Sequence, residues 1–118
     1  MYKFYNANAL HKFENDCVIR SLSVATGKTW DYVYEHLSDI AQSQGTMMDD
    51  RNFVISYLNE RYDKAPYLSE RVGEVAADYP DNVILITMNG HITCSKCGTI
   101  YDSFDCRERK AEDAWIVS

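Results

Sequence analysis

No cluster of basic residues occurs anywhere in this chain. Its 12 Lys and Arg are outnumbered by 18 Asp and Glu, leaving a net charge of -6. Nucleic-acid binding draws on clustered cations that displace phosphate counterions, so this composition argues against a partner read through its phosphates. Long apolar runs are missing as well: the longest uncharged one, Val83 to Met88, falls far short of the roughly 20 residues that span a bilayer. The segment Met1-Tyr2-Lys3-Phe4-Tyr5-Asn6 lacks the apolar core of a secretory signal. There is no repeat, linker or low-complexity segment. The chain therefore reads as cytoplasmic, with no membrane partner and no nucleic-acid partner. Cysteines in that compartment stay reduced, so each of the four needs its own explanation as core filler, metal ligand or nucleophile.

What is present is an ordinary globular composition, 46% hydrophobic and 25% charged over 118 residues. That length supports one core and one domain, residues 1–118. The first two thirds read as helices and the last third as strands, which is an α+β pattern. Asn15 or Asp16 opens a helix carrying Val18, Leu22 and Ala25, stopped by Thr26-Gly27. Thr29 caps a second helix whose apolar stripe is Trp30, Val33, Tyr34, Leu37, Ile40 and Ala41. Its His36 falls on the polar side. Asp49 or Asp50 starts a third helix with Phe53, Val54, Tyr57 and Leu58 inward, and Ser69 caps a short fourth with Val72, Val75, Ala76 and Tyr79. Val83 to Met88 is apolar but for Thr87, as a strand buried on both faces should be. Asn89-Gly90 turns it back into a strand from His91, a reversal near Cys97-Gly98 leads into Thr99 to Phe104, and Trp115-Ile116-Val117 closes the sheet.

The cysteines divide unevenly. Cys94, Cys97 and Cys106 lie together near the C-terminus, whereas Cys17 stands alone where a polar segment becomes the first helix. A thiol at a helix N-terminus gains help in ionising, and the unpaired N–H groups of that end can hold an oxyanion. His91 supplies a base. If Cys97-Gly98 are the central residues of a two-residue turn, Lys96 faces Thr99, Thr93 faces Asp102 and His91 faces Phe104. His91 and Asp102 are then diagonal neighbours on one sheet face, roughly 7–8 Å apart. Asp102 is thus the preferred group to orient the imidazole, with Asp105 as the alternative if the strand bulges.

The order of Cys at a first-helix N-terminus, Gly-His on a central strand and Asp on the next resembles the papain-like cysteine peptidase superfamily. More closely, the run from Asn15 to Lys28, with Gly90-His91-Ile92-Thr93 and Ile100 to Cys106, is similar to small bacteriophage proteins carrying a minimal form of that fold. The resemblance covers most of the chain from Asn15 onward. It implies N-terminal helices packed on a C-terminal antiparallel sheet, with Cys17 as nucleophile, His91 as general base and Asp102 as orienter. Where the papain-like pattern has a glutamine oxyanion donor six residues before its cysteine, this chain has His11, and Asn15 is the candidate substitute. The implied activity is thiol-dependent hydrolysis of a protein or peptide, a host protein in the host cytoplasm if the setting is a phage. No cofactor is implied.

Two rivals stand beside this reading. One is a non-catalytic binding or inhibitor protein of the same fold, for which Cys17 would be an unreactive core thiol. The other is a small zinc-binding domain. Cys94 and Cys97 form a C-x2-C knuckle followed by Gly98, and Cys106 with His91 or Cys17 would complete four ligands, although no second ligand pair has matching spacing.

Overall fold

The computed structural model describes residues 1–12 and 15–118 and builds a six-stranded sheet around the apolar segment Val83–Met88. In chain order the elements are β1 (Tyr2–Phe4), α1 (Cys17–Thr26), α2 (Trp30–Ser43), α3 (Arg51–Arg61), β2 (Asp63–Lys64), α4 (Val72–Asp78), β3 (Val83–Met88), β4 (His91–Lys96), β5 (Thr99–Asp102) and β6 (Asp113–Ile116). Across the sheet they run β1-β5-β4-β3-β6-β2.

A strand with no polar edge must be covered on both sides, and that requirement divides the core. Leu85 of β3 joins Ile92, Cys94 and Trp115 under Ile19 and Leu22 of α1, Val33 and Leu37 of α2, and Phe53 and Leu58 of α3. Ile84, Ile86 and Met88 point the other way, into a second cluster with Val72, Val75, Ala76 and Tyr79. So α4 lies on the face opposite the other three helices.

The α+β class holds, while the arrangement differs from helices on a purely antiparallel sheet. β1 pairs with β5 in parallel, so the sheet is mixed, and β2 joins its other edge beside β6. Both additions come from the helical two thirds of the chain. Three residues and two residues carry too little alternation to announce a strand; their backbone hydrogen bonds to an existing edge define them. Ser69 does not cap α4 either. Its hydroxyl bonds the Asp78 carboxylate, while Glu74 reaches back to the backbone N–H of Arg71, the actual N-cap residue.

The helix starts at Thr29 and Asp50 follow their side chains, which accept hydrogen bonds from the backbone N–H of Tyr32 and Phe53. The β4–β5 turn pairs Lys96 with Thr99 and Cys94 with Tyr101. Its central residues Cys97 and Gly98 have φ of 51° and 82°, the left-handed pair that a two-residue hairpin demands. An added Cβ at Gly98 would meet nothing closer than 3.9 Å, so its cost there is conformational and not steric. Gly98→Ala should therefore destabilise the protein by about 1–2 kcal/mol in urea unfolding, with Gly98→Asn costing less because Asn tolerates this region.

Candidate active site

Cys17 is the first residue of α1, which begins after Asp16 and ends at Gly27, whose left-handed backbone (φ 73°) lets its N–H bond Ser23 O. Asp16 occupies the N-cap position without capping by its side chain. Its carboxylate is taken instead by Arg20 Nε at 2.7 Å and Trp30 Nε1 at 2.9 Å. The first-turn N–H groups beside the half-buried Cys17 thus lack the partner that an N-cap carboxylate usually provides.

His91 opens β4 directly after the Asn89-Gly90 turn. Its Nε2 lies 2.7 Å from Asp102 Oδ2, and its ring packs on Phe104 at 4.7 Å between centroids. The imidazole also lies near enough to Cys17 for each group to shift the other's ionisation. With Nε2 committed to the carboxylate, Nδ1 is the nitrogen left for the thiol. Asp102, the last residue of β5, is buried, and its Oδ1 accepts from the Ser103 N–H at 2.7 Å and Arg20 Nη1 at 3.1 Å. The structure therefore brings Cys17, His91 and Asp102 together in that order, with a hydrogen bond between the last two, and the β4–β5 register that does so is the one with Cys97-Gly98 at the turn.

The electrostatics favour charge separation along that chain. Burial opposes ionisation of Cys17, but the nearby His91 imidazole, the Ile92 backbone and the charges of His91 and Arg20 outweigh it and hold the thiol below its ordinary value. Burial likewise disfavours the imidazolium, yet hydrogen bonds and charge from Asp102 and Cys17 push His91 up to about 9. For Asp102 burial is overcome by His91, by the nearby Thr93 and by the Ser103 N–H, which keep the carboxyl below its usual range. The Thr93 hydroxyl sits close enough to favour that charge but outside full hydrogen-bond geometry, so its Oγ1 is buried without a partner. Cys94 and Cys106 show the contrasting case: burial pushes both thiols up to about 12.

Two clefts meet at the thiol. The larger, about 620 Å³, is walled mainly by apolar side chains, among them Trp30, Tyr34, Met47, Met48, Val54 and Ile55. The smaller, about 270 Å³, is polar, with Asn6, Lys12, Arg20 and Ser103 in its wall. Cys17, His91 and Asn15 line both.

The remaining sequence candidates fall elsewhere. Asp105 is exposed and forms a two-point ion pair with Arg107 at 2.8 and 2.9 Å, so it does not orient His91. His11 is exposed in a left-handed turn (φ 52°) and lines neither cleft, which leaves Asn15, exposed and lining both, as the remaining candidate donor. The four zinc candidates do not converge. Cys94 is buried in the core under α1, Cys97 is an exposed turn residue, and only Cys106 of the three lies in a group with His91 and Asp102. His36 has a structural role outside the site: it is half-buried and bonds Tyr57 Oη at 3.0 Å, tying α2 to α3.

Sequence reasoning missed Arg20 and Trp30. Arg20 had a signal, since Asp16 and Arg20 are four apart and so neighbours on one helix face. Trp30 had none beyond its apolar-stripe position.

Cys17 should be the fastest-alkylating thiol at pH 6, ahead of the exposed Cys97. His91→Ala should slow it by about tenfold or more, and Asp102→Asn by less, because imidazolium stabilises the thiolate directly and the carboxylate acts through the ring. Iodoacetamide labelling read by mass spectrometry gives all four rates. No family model, curated protein or solved structure matches the chain, so the functional argument rests on these side chains.

Proposed function

We propose that this protein is a thiol-dependent hydrolase with a minimal papain-like fold, cleaving an amide, isopeptide or ester bond in a protein or peptide through an acyl-enzyme. The observation that carries this reading is the grouping of Cys17 beside His91, itself hydrogen-bonded to Asp102, at the junction of two clefts. The Cys17 thiolate attacks the substrate carbonyl carbon, and as the C–S bond forms the carbonyl π electrons move to oxygen. The oxyanion is met by first-turn N–H groups of α1, with Asn15 beside them. The His91 imidazolium then gives its proton to the leaving nitrogen or oxygen as that bond breaks. Water attacks the thioester with His91 as base, and collapse regenerates Cys17 and releases a carboxylic acid. Asp102 keeps the ring oriented and stabilises the imidazolium without taking its proton.

The apolar cleft favours a substrate with a bulky apolar group near the scissile carbonyl, since burying such a group is worth about 1.5–3 kcal/mol. The resemblance to phage proteins favours a host or phage protein as the source of that group.

Hydrolysis of a fluorogenic peptide library at varied pH tests the reading. The value of kcat/KM should rise as the coupled pair loses its thiol proton and fall as His91 loses its own near pH 9. Absence of turnover, together with Cys17 alkylating like an ordinary thiol with a midpoint of about 8.5, would transfer the case to the binding-module reading.

Tyr34 is exposed, stacks on Trp30 at 5.3 Å and walls the apolar cleft. Tyr34→Ala should raise KM for apolar substrates by about tenfold while leaving the iodoacetamide rate of Cys17 unchanged. Parallel titrations of substrate and reagent separate the two effects.

A further inference from the structure

Arg20 is 12% exposed and joins two carboxylates that belong to different elements. Its Nε bonds Asp16 Oδ1 at 2.7 Å, at the entry to the helix that carries Cys17. Its Nη1 bonds Asp102 Oδ1 at 3.1 Å and Ser103 Oγ at 2.9 Å, at the end of the strand that carries the orienting group. A carboxylate gripped at Oδ1 by a guanidinium and a backbone N–H cannot turn freely, and the oxygen left over is the one that meets His91. Resting on the hydrolase reading above, we propose that Arg20 is a positioning residue for the reaction: its planar fork locks Asp102, and through Asp102 the imidazole, against the helix that presents Cys17.

The fork matters as well as the charge. A lysine ammonium is a point donor on a flexible stem and cannot hold two carboxylates in one fixed geometry. The groups around the thiol leave few other routes for such an effect. His91 and Arg20 face it directly, Asp16 and Asp102 lie behind them, Lys12 lines the polar cleft, and Asp49 and Arg51 line the apolar one. Of these, only Arg20, itself a residue of α1, bonds both Asp16 at the start of that helix and Asp102 at the end of β5.

The pH midpoint of Cys17 alkylation by iodoacetamide tests the proposal, since a merely structural role for Arg20 would lower unfolding stability without moving it. Arg20→Lys should raise the midpoint by about one pH unit, a tenfold loss of thiolate at pH below it. Asp102→Asn should raise it as well, and the double variant should match Asp102→Asn alone, because an effect that passes through Asp102 vanishes with it. Asp16→Asn, which keeps a side-chain oxygen for Arg20 Nε, should move the midpoint less than Arg20→Lys does. Should Arg20→Lys not fold, the same substitution in the Asp16→Asn background removes one buried carboxylate and carries the test. An unmoved midpoint in Arg20→Lys, or additive shifts in the double variant, would overturn the role of Arg20 while leaving the hydrolase reading intact. An ordinary thiol midpoint in the unmodified protein would instead remove the hydrolase reading itself.

Discussion

Everything in this molecule is arranged around one strand that has no face fit for water. Because β3 is apolar at every position but Thr87, helices must cover both of its sides, and the chain supplies three for one side and a fourth for the other. The same strand ends in the Asn89-Gly90 turn, so its burial fixes where His91 emerges. α1 is held by Ile19 and Leu22 against the neighbouring residues Leu85, Ile92 and Cys94. The apolar packing therefore sets the separation between the thiol's helix and the histidine's strand before any polar contact forms. Hydrogen bonds then refine an approach that burial has already made.

The polar centre is costly to build. Asp16, Arg20 and Asp102 are largely removed from water, and an isolated buried charge would cost several kcal/mol. The arrangement offsets this by alternating sign: two carboxylates against one guanidinium and one imidazolium, each bonded to the next. Trp30 and the Ser103 backbone occupy further lone pairs. A thiolate at Cys17 adds a negative charge at the open end of this array, where first-turn N–H groups and the clefts can receive it. A network of this kind specifies geometry more than it adds stability, which suits a place where chemistry depends on orientation.

Much of this was legible in the sequence, for definite reasons. Val83–Met88 was readable because a run of six residues, apolar but for Thr87, between turn formers admits few alternatives. The β4–β5 register was readable because Cys97-Gly98 fits a two-residue turn, and with it came the choice of Asp102 over Asp105. What escaped had no local signal. β1 and β2 are strands only by virtue of the edges they meet. For His36 the choice between a structural and an exposed residue stayed open, because Tyr57, its partner, is 21 positions away. His11 matched a sequence offset, but its backbone turns through the left-handed region and carries the ring away from the clefts.

The parallel strand β1 has a further consequence. Its end grips the residue that orients the imidazole: Tyr5 N–H donates to Asp102 O at 2.8 Å and Tyr2 Oη to the same oxygen at 3.1 Å. A three-residue edge strand of half-buried and exposed side chains opens at far lower free energy than the core. In native-state hydrogen exchange, the amides of this edge report openings that leave Ile86 and Leu85 protected. Each such opening loosens the main chain of Asp102, so local fraying at one margin of the sheet reaches the polar centre long before global unfolding does.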